Sequence, residues 1–124
     1  MGLISYIQQR YYNHKLDKAD KLMEENRSYD AEQIYLELLD KHPFAASRLA
    51  EYYFSDAKNA GVNVAQKQLK KIIDLEGKAE GVYDENSYNT ILQNVSLYIC
   101  QRAQALFAAG SYVDCCSLLQ VLND

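Results

Sequence analysis

Tryptophan is absent from this chain, proline occurs only as Pro43, and glycine occurs five times in 124 residues. So few breakers argue against a fold of many short strands and tight turns and favour long helices. No apolar run approaches the ~18 residues of a membrane span, so no membrane partner is expected. Met1–Ile7 is apolar but lacks a basic leader and runs into Gln8-Gln9-Arg10 rather than a cleavage site, so it does not read as a secretion signal. Tyr6 stands where a myristoylation motif wants Ser or Thr. Basic charge is also short: 13 Lys and Arg against 17 Asp and Glu leave a net charge of −4. That lacks the footprint that replaces phosphate counterions, and it excludes non-specific nucleic-acid binding. Lys67, Lys70 and Lys71 read as the solvated face of a helix.

Cys100, Cys115 and Cys116 are too few and too clustered for a disulfide framework. Cys115 and Cys116 are expected as buried free thiols, and a reducing, cytoplasmic location follows. With only His14 and His42 as imidazoles, neither a metal nor another cofactor is expected. There is no Gly-rich phosphate loop, paired-His zinc motif or nucleophile elbow. Glu24 and Glu25 are adjacent on a helix and point in different directions. The expectation is a protein without catalytic activity.

What is present is helical periodicity. The composition, 48% apolar and 24% charged, is that of one ordinary globular domain. Leu3, Ile4, Ile7, Tyr11, Tyr12, Leu16, Ala19, Leu22 and Met23 recur at steps of three and four and predict one amphipathic helix over about 3–26. Ser28 or Asp30 is expected to cap a second helix reaching Leu39, and Pro43 to occupy the first turn of a third. Gly61 is expected as the left-handed cap ending that third helix, with Asn63 capping a fourth that stops at Gly77. After a loop at 78–83, Asp84 or Asn86 starts a long fifth helix ended by Gly110, and a sixth runs from about Tyr112 to Leu122.

The chain also repeats itself. Shifted by 34 residues, Ala31 falls on Ala65, Leu38 on Ile72, Leu39 on Ile73 and Pro43 on Gly77. Gly110-Ser111-Tyr112-Val113-Asp114-Cys115 with Leu118, Leu119 and Leu122 writes the pattern again, 50 residues after the second copy. The 16 extra residues fall in the loop and the front of the fifth helix, which is expected to overhang its partner. On these residues the chain resembles the tetratricopeptide repeat family over roughly 12–124. The resemblance implies an all-α superhelix, a solenoid of three antiparallel hairpins over 12–45, 46–79 and 84–124, with a helical extension at 3–11. Tyr53 stands where the family prefers a small residue, so the second hairpin is expected to be splayed or shifted.

The family's best-known function is a clamp for carboxylate tails, built on Lys, Asn and Arg of the first helices. Here the matching positions hold Leu16, Asp20, Glu51, Leu97 and Gln101, none a cation. Anion capture needs positive charge or free N–H groups, so the clamp is excluded. The same alignment puts Asp17, Asp20, Glu24, Glu51, Phe54, Lys58, Gln101, Gln104 and Phe107 on the concave side. Such a surface suits a protein or peptide partner carrying basic and apolar side chains. Eleven tyrosines exceed what the core positions Tyr35, Tyr53, Tyr98 and Tyr112 absorb; Tyr11, Tyr12, Tyr52, Tyr83 and Tyr88 are left without a core assignment. Finally, Leu118, Leu119, Val121 and Leu122 cannot all face inward on one helix. An outward apolar stripe on the C-terminal helix, helped by an exposed front of the fifth helix, is expected to pack on a second copy or on further repeats. The competing expectation is thus a self-associating structural module.

Overall fold

The computed structural model describes residues 2–123. Among them are six helices and no strand: α1 (Leu3–Glu24), α2 (Ser28–Leu38), α3 (Ala45–Lys58), α4 (Val62–Ala79), α5 (Glu85–Ala108) and α6 (Tyr112–Gln120), closed by a 3-10 turn at Val121–Asn123. None is long and apolar enough to cross a membrane. Helices pair in chain order, α1 with α2, α3 with α4, α5 with α6. In the first pair Asp20 meets Tyr35 and Lys15 meets Glu37, so the register runs backwards and the pair is antiparallel. The second and third pairs meet like to like, α3 on α5 and α4 on α6, whereas the first joins the second through α2 and α3. One core runs through all three pairs, from Leu16 to Val121.

Turn chemistry repeats at the two ends of the chain. Asn26 turns left-handed at φ 62, and the N–H groups of Asn26 and Arg27 reach back to the carbonyls of Met23 and Leu22. Gly110 does the same at φ 81, with Gly110 and Ser111 donating to Phe107 and Leu106. Both are complete Schellman closures, and they lie 84 residues apart (110 − 26), the sum of the two offsets read in the sequence, 34 and 50.

The middle hairpin closes otherwise. Gly61 is extended (φ −66, ψ 166) and precedes α4 as its N-cap, so neither a glycine cap on α3 nor an Asn63 cap on α4 exists. Instead the Arg102 guanidinium from α5 donates to the carbonyls of Ala60 at 2.9 Å and Ala57 at 3.5 Å. A cation at a helix C-terminus satisfies orphan carbonyls and favours the helix dipole. Gly77 does not end α4. Ala79, fully buried one turn beyond Leu75, carries the helix on, and Glu80 and Gly81 turn left-handed instead. Pro43 lies in the turn before α3, not inside it, and its carbonyl accepts from Asp84 N–H at 2.9 Å. Neither Ser28 nor Asp30 caps α2. Both are helical, and Asp30 pairs with Arg27 at 2.8 Å. Asp84 does cap α5, accepting from Ser87 N–H at 3.0 Å.

The second hairpin is not splayed; α3 and α4 are the most closely packed pair. Ala46, Ala50, Ala57 and Ala65 are fully buried and let the helices approach, while Tyr53 reaches sideways to donate to Glu32 of α2 beneath Lys71. Two tyrosines exchange roles relative to expectation. Tyr88 is 1% exposed and donates to the Ile72 carbonyl, whereas Tyr112 is 59% exposed. The front of α5 is consequently not a free overhang: Tyr88, Ile91 and Val95 bury it against the second hairpin. Cys115 is buried but Cys116 is exposed. In α6 and its closing turn, Leu118 and Val121 are buried, and the more exposed pair is Leu119 and Leu122.

His42 ties α1 to the turn before α3. Its Nδ1 accepts from Phe44 N–H at 3.1 Å, and its Nε2 lies 2.7 Å from Asn13 Oδ1. This network assigns the neutral Nε2–H tautomer, because a proton on Nδ1 would face an N–H. Burial first and the Arg48 charge second hold the imidazole below its ordinary 6.5, against the opposing pull of Asp17 and Asp20. With the folded value lowered, the unfolded chain binds the proton more readily. The contribution to stability is therefore full above the unfolded pKa and declines as pH falls towards the folded value. The thermal midpoint is expected to drop as pH falls from about 7 to about 5, less steeply in His42→Gln. An unchanged slope in that variant would remove His42 from the account.

Candidate functional site

Asp17, Asp20 and Glu24 share one side of α1 by their spacing, and Arg48, Glu51, Tyr52 and Ser55 share one side of α3. Between these stripes lies an open groove of about 360 Å³, walled by Asp20, Met23 and Glu24 from α1 and by Glu51 and Tyr52 from α3. Tyr35 of α2 forms its floor.

The three groove carboxylates are not equivalent. Asp20 accepts the Tyr35 hydroxyl and the Arg48 Nε, the latter at 3.2 Å, so its charge is compensated and it acts as a brace. Burial, followed by the Asp20 carboxylate, raises the Tyr35 pKa and keeps the phenol protonated as a donor. Glu24 and Glu51 have no cation within ion-pair distance among the described residues. Both are exposed. Tyr52, half-buried and tilted against Tyr53 with ring centroids 5.5 Å apart, places an aromatic edge beside them. Burial and Glu32 raise its pKa, so it too stays neutral.

The remaining residues expected on the concave side lie apart. Phe54 packs edge-on to Tyr98 at 5.5 Å, with Lys58 Nζ 4.5 Å from its ring centroid. Those two belong to the seam between α3 and α5, extended by Arg102 donating to the Tyr98 hydroxyl at 2.7 Å. Gln101 is exposed, while Gln104 and Phe107 line a second groove between α5 and α6. At 100° per residue they face away from the side of α5 that carries Tyr98 and Arg102. The structure thus gathers Asp20, Glu24 and Glu51, leaves Asp17 one turn back on α1 outside the groove, and separates them from Phe54 and Lys58, and again from Gln104 and Phe107.

Met23, Tyr52 and Arg48 were missed as groove residues. The i, i+3, i+4, i+7 stripe of α3, Arg48-Glu51-Tyr52-Ser55, was the available signal. Among the described residues no group of three or more His, Cys, Asp or Glu side chains could hold a metal ion. No protein family, curated protein or solved structure matches this chain.

Proposed function

We propose that the chain is a tetratricopeptide-like helical scaffold, without catalytic activity, that binds a basic and apolar peptide or partner segment in the groove between α1 and α3. The superhelical repeat reading is supported by the two Schellman closures 84 residues apart and by the like-to-like packing of the second and third hairpins. The observation that carries the binding reading is the pair of uncompensated carboxylates, Glu24 and Glu51, beside the Tyr52 ring and Met23. A Lys or Arg head finds charge there while its methylene stem lies on aromatic and thioether surface. A cytoplasmic location is part of the same proposal and rests on the free thiols.

Glu24→Lys/Glu51→Lys is expected to weaken binding of a labelled Lys- and Leu-rich peptide about tenfold, since each exposed pair is worth up to ~1 kcal/mol and reversal adds repulsion. Helical content should be unchanged, and raised salt should weaken the parent in the same direction. Unaltered affinity in the double variant would place the site elsewhere.

A further inference from the structure

Independently of that groove, we propose that copies of this chain join head to tail, the N-terminal ridge of α1 in one copy docking into the groove between α5 and α6 of the next. Leu3 is 71% and Ile4 74% exposed, and Ile7 and Tyr11 are each more than half exposed. Only Ile4 and Tyr11 keep the phase of Leu22, at the edge of the core stripe, and Leu3 and Ile7 fall outside it. Counting back from Leu16 in threes and fours reaches Tyr12, Gln9 and Ser5, so the core stripe turns polar. At 100° per residue, Leu3, Ile4, Ile7 and Tyr11 centre roughly a quarter turn from the mean direction of Leu16, Ala19 and Leu22, with Tyr11 at the edge of the ridge beside Glu37, Leu38 and Lys41.

The receiving groove has a volume of about 370 Å³ and is lined by Cys100, Ala103, Gln104 and Phe107 of α5 and by Cys115 and Leu119 of α6. It lies on the side of α5 turned away from the second hairpin, where the next hairpin of a stack would pack. Three arguments make a second copy's α1 the occupant. In shape, two such grooves set face to face would trap both hollows, whereas a single helix is convex and fills one. In charge, the only charged residues between Asn86 and Asn123 are Arg102 and Asp114, and Arg102 is turned inward onto the end of α3. From Gly2 to Tyr11 the one charged residue is Arg10, whose guanidinium lies over the exposed Tyr6 ring and donates to its hydroxyl at 3.2 Å, at the rim of the ridge where it stays in water. Two neutral faces can be buried together without stranding an ion, which a charged peptide would do. In area, about two and a half helical turns cover roughly 300–400 Å² per copy, about half of what each partner buries in a standard interface, so association is weak, transient and concentration-dependent. The ridge belongs to the first hairpin and the groove to the third, so the contact is heterologous and each bound copy offers a free ridge or groove to the next.

The test uses two blocked variants, Ile4→Glu/Ile7→Glu with an intact groove and Phe107→Glu/Leu119→Glu with an intact ridge. Sedimentation of the parent should show average mass rising past that of a dimer as concentration is raised about a hundredfold. Each variant alone should be monomeric with parental far-UV circular dichroism, and an equal mixture should form dimers and nothing larger. If the second variant loses helicity, Gln104→Arg blocks the same groove from an exposed position. A monomeric parent, a parent that stops at two copies, or a mixture that stays monomeric overturns the proposal.

Discussion

Leu118→Glu is expected to unfold the C-terminal hairpin, while Leu119→Glu leaves it folded. The two positions are neighbours on α6, yet Leu118 is fully buried and Leu119 is 38% exposed. Leu118 and Val121 are the residues through which α6 and its closing turn join the common core. A glutamate at 118 would lose the apolar burial of a leucine, about 1.5–3 kcal/mol, and bury a carboxylate without a partner, at several kcal/mol more. That sum is comparable to the whole stability of a domain of this size. The expected result is loss of the cooperative thermal transition, or a partly melted chain, against a midpoint within a few degrees of the parent for Leu119→Glu. Equal effects at the two positions would mean that α6 is rotated from the orientation described.

The second large effect is at Tyr88. Its ring is 1% exposed, meets Tyr83 edge-on with centroids 5.4 Å apart, and its hydroxyl donates to the Ile72 carbonyl. Burial pushes its pKa up to about 12, so the hydroxyl remains a donor across the ordinary pH range. Tyr88→Ala removes the anchor of the front of α5 and leaves a large void, an expected cost of about 3–5 kcal/mol. Tyr88→Phe removes only the hydrogen bond and is expected to cost about 1 kcal/mol. Denaturant melts of the two variants give the comparison. A small effect from Tyr88→Ala would mean that the front of α5 is the free overhang suggested by the spacing, not part of the core.

The contrast between these tyrosines and leucines shows where the sequence was legible. Turns closed by local chemistry could be read directly: Asp84 three residues before Ser87, and Gly110 at a left-handed position, each act through their own backbone neighbours. Turns closed from a distance could not. Gly61 loses its expected role because Arg102, 41 residues later (102 − 61), caps α3. Gly77 is overridden by burial of Ala79. Tyr88 and Tyr112 have similar local settings, and only the stacking of α5 on the second hairpin separates them. The phase of α1 is a subtler case. Steps of three and four run unbroken from Leu3 to Met23, but they contain two stripes on different sides, and only burial tells them apart. For the groove, the acidic residues of α1 and α3 were visible as a cluster. Gln104 and Phe107 were placed with them by alignment to the family's first helices, which does not register that this side of α5 is turned away from the second hairpin.

The most direct test of the proposed binding groove is a titration of isotope-labelled protein with an unstructured Lys- and Leu-rich peptide, followed by amide chemical shifts. The account predicts perturbations concentrated at Asp20–Glu24 and Arg48–Ser55, which in the Glu24→Lys/Glu51→Lys variant need about tenfold more peptide to reach the same size. Shifts confined to α5 and α6, or no saturable shifts at all, would contradict it.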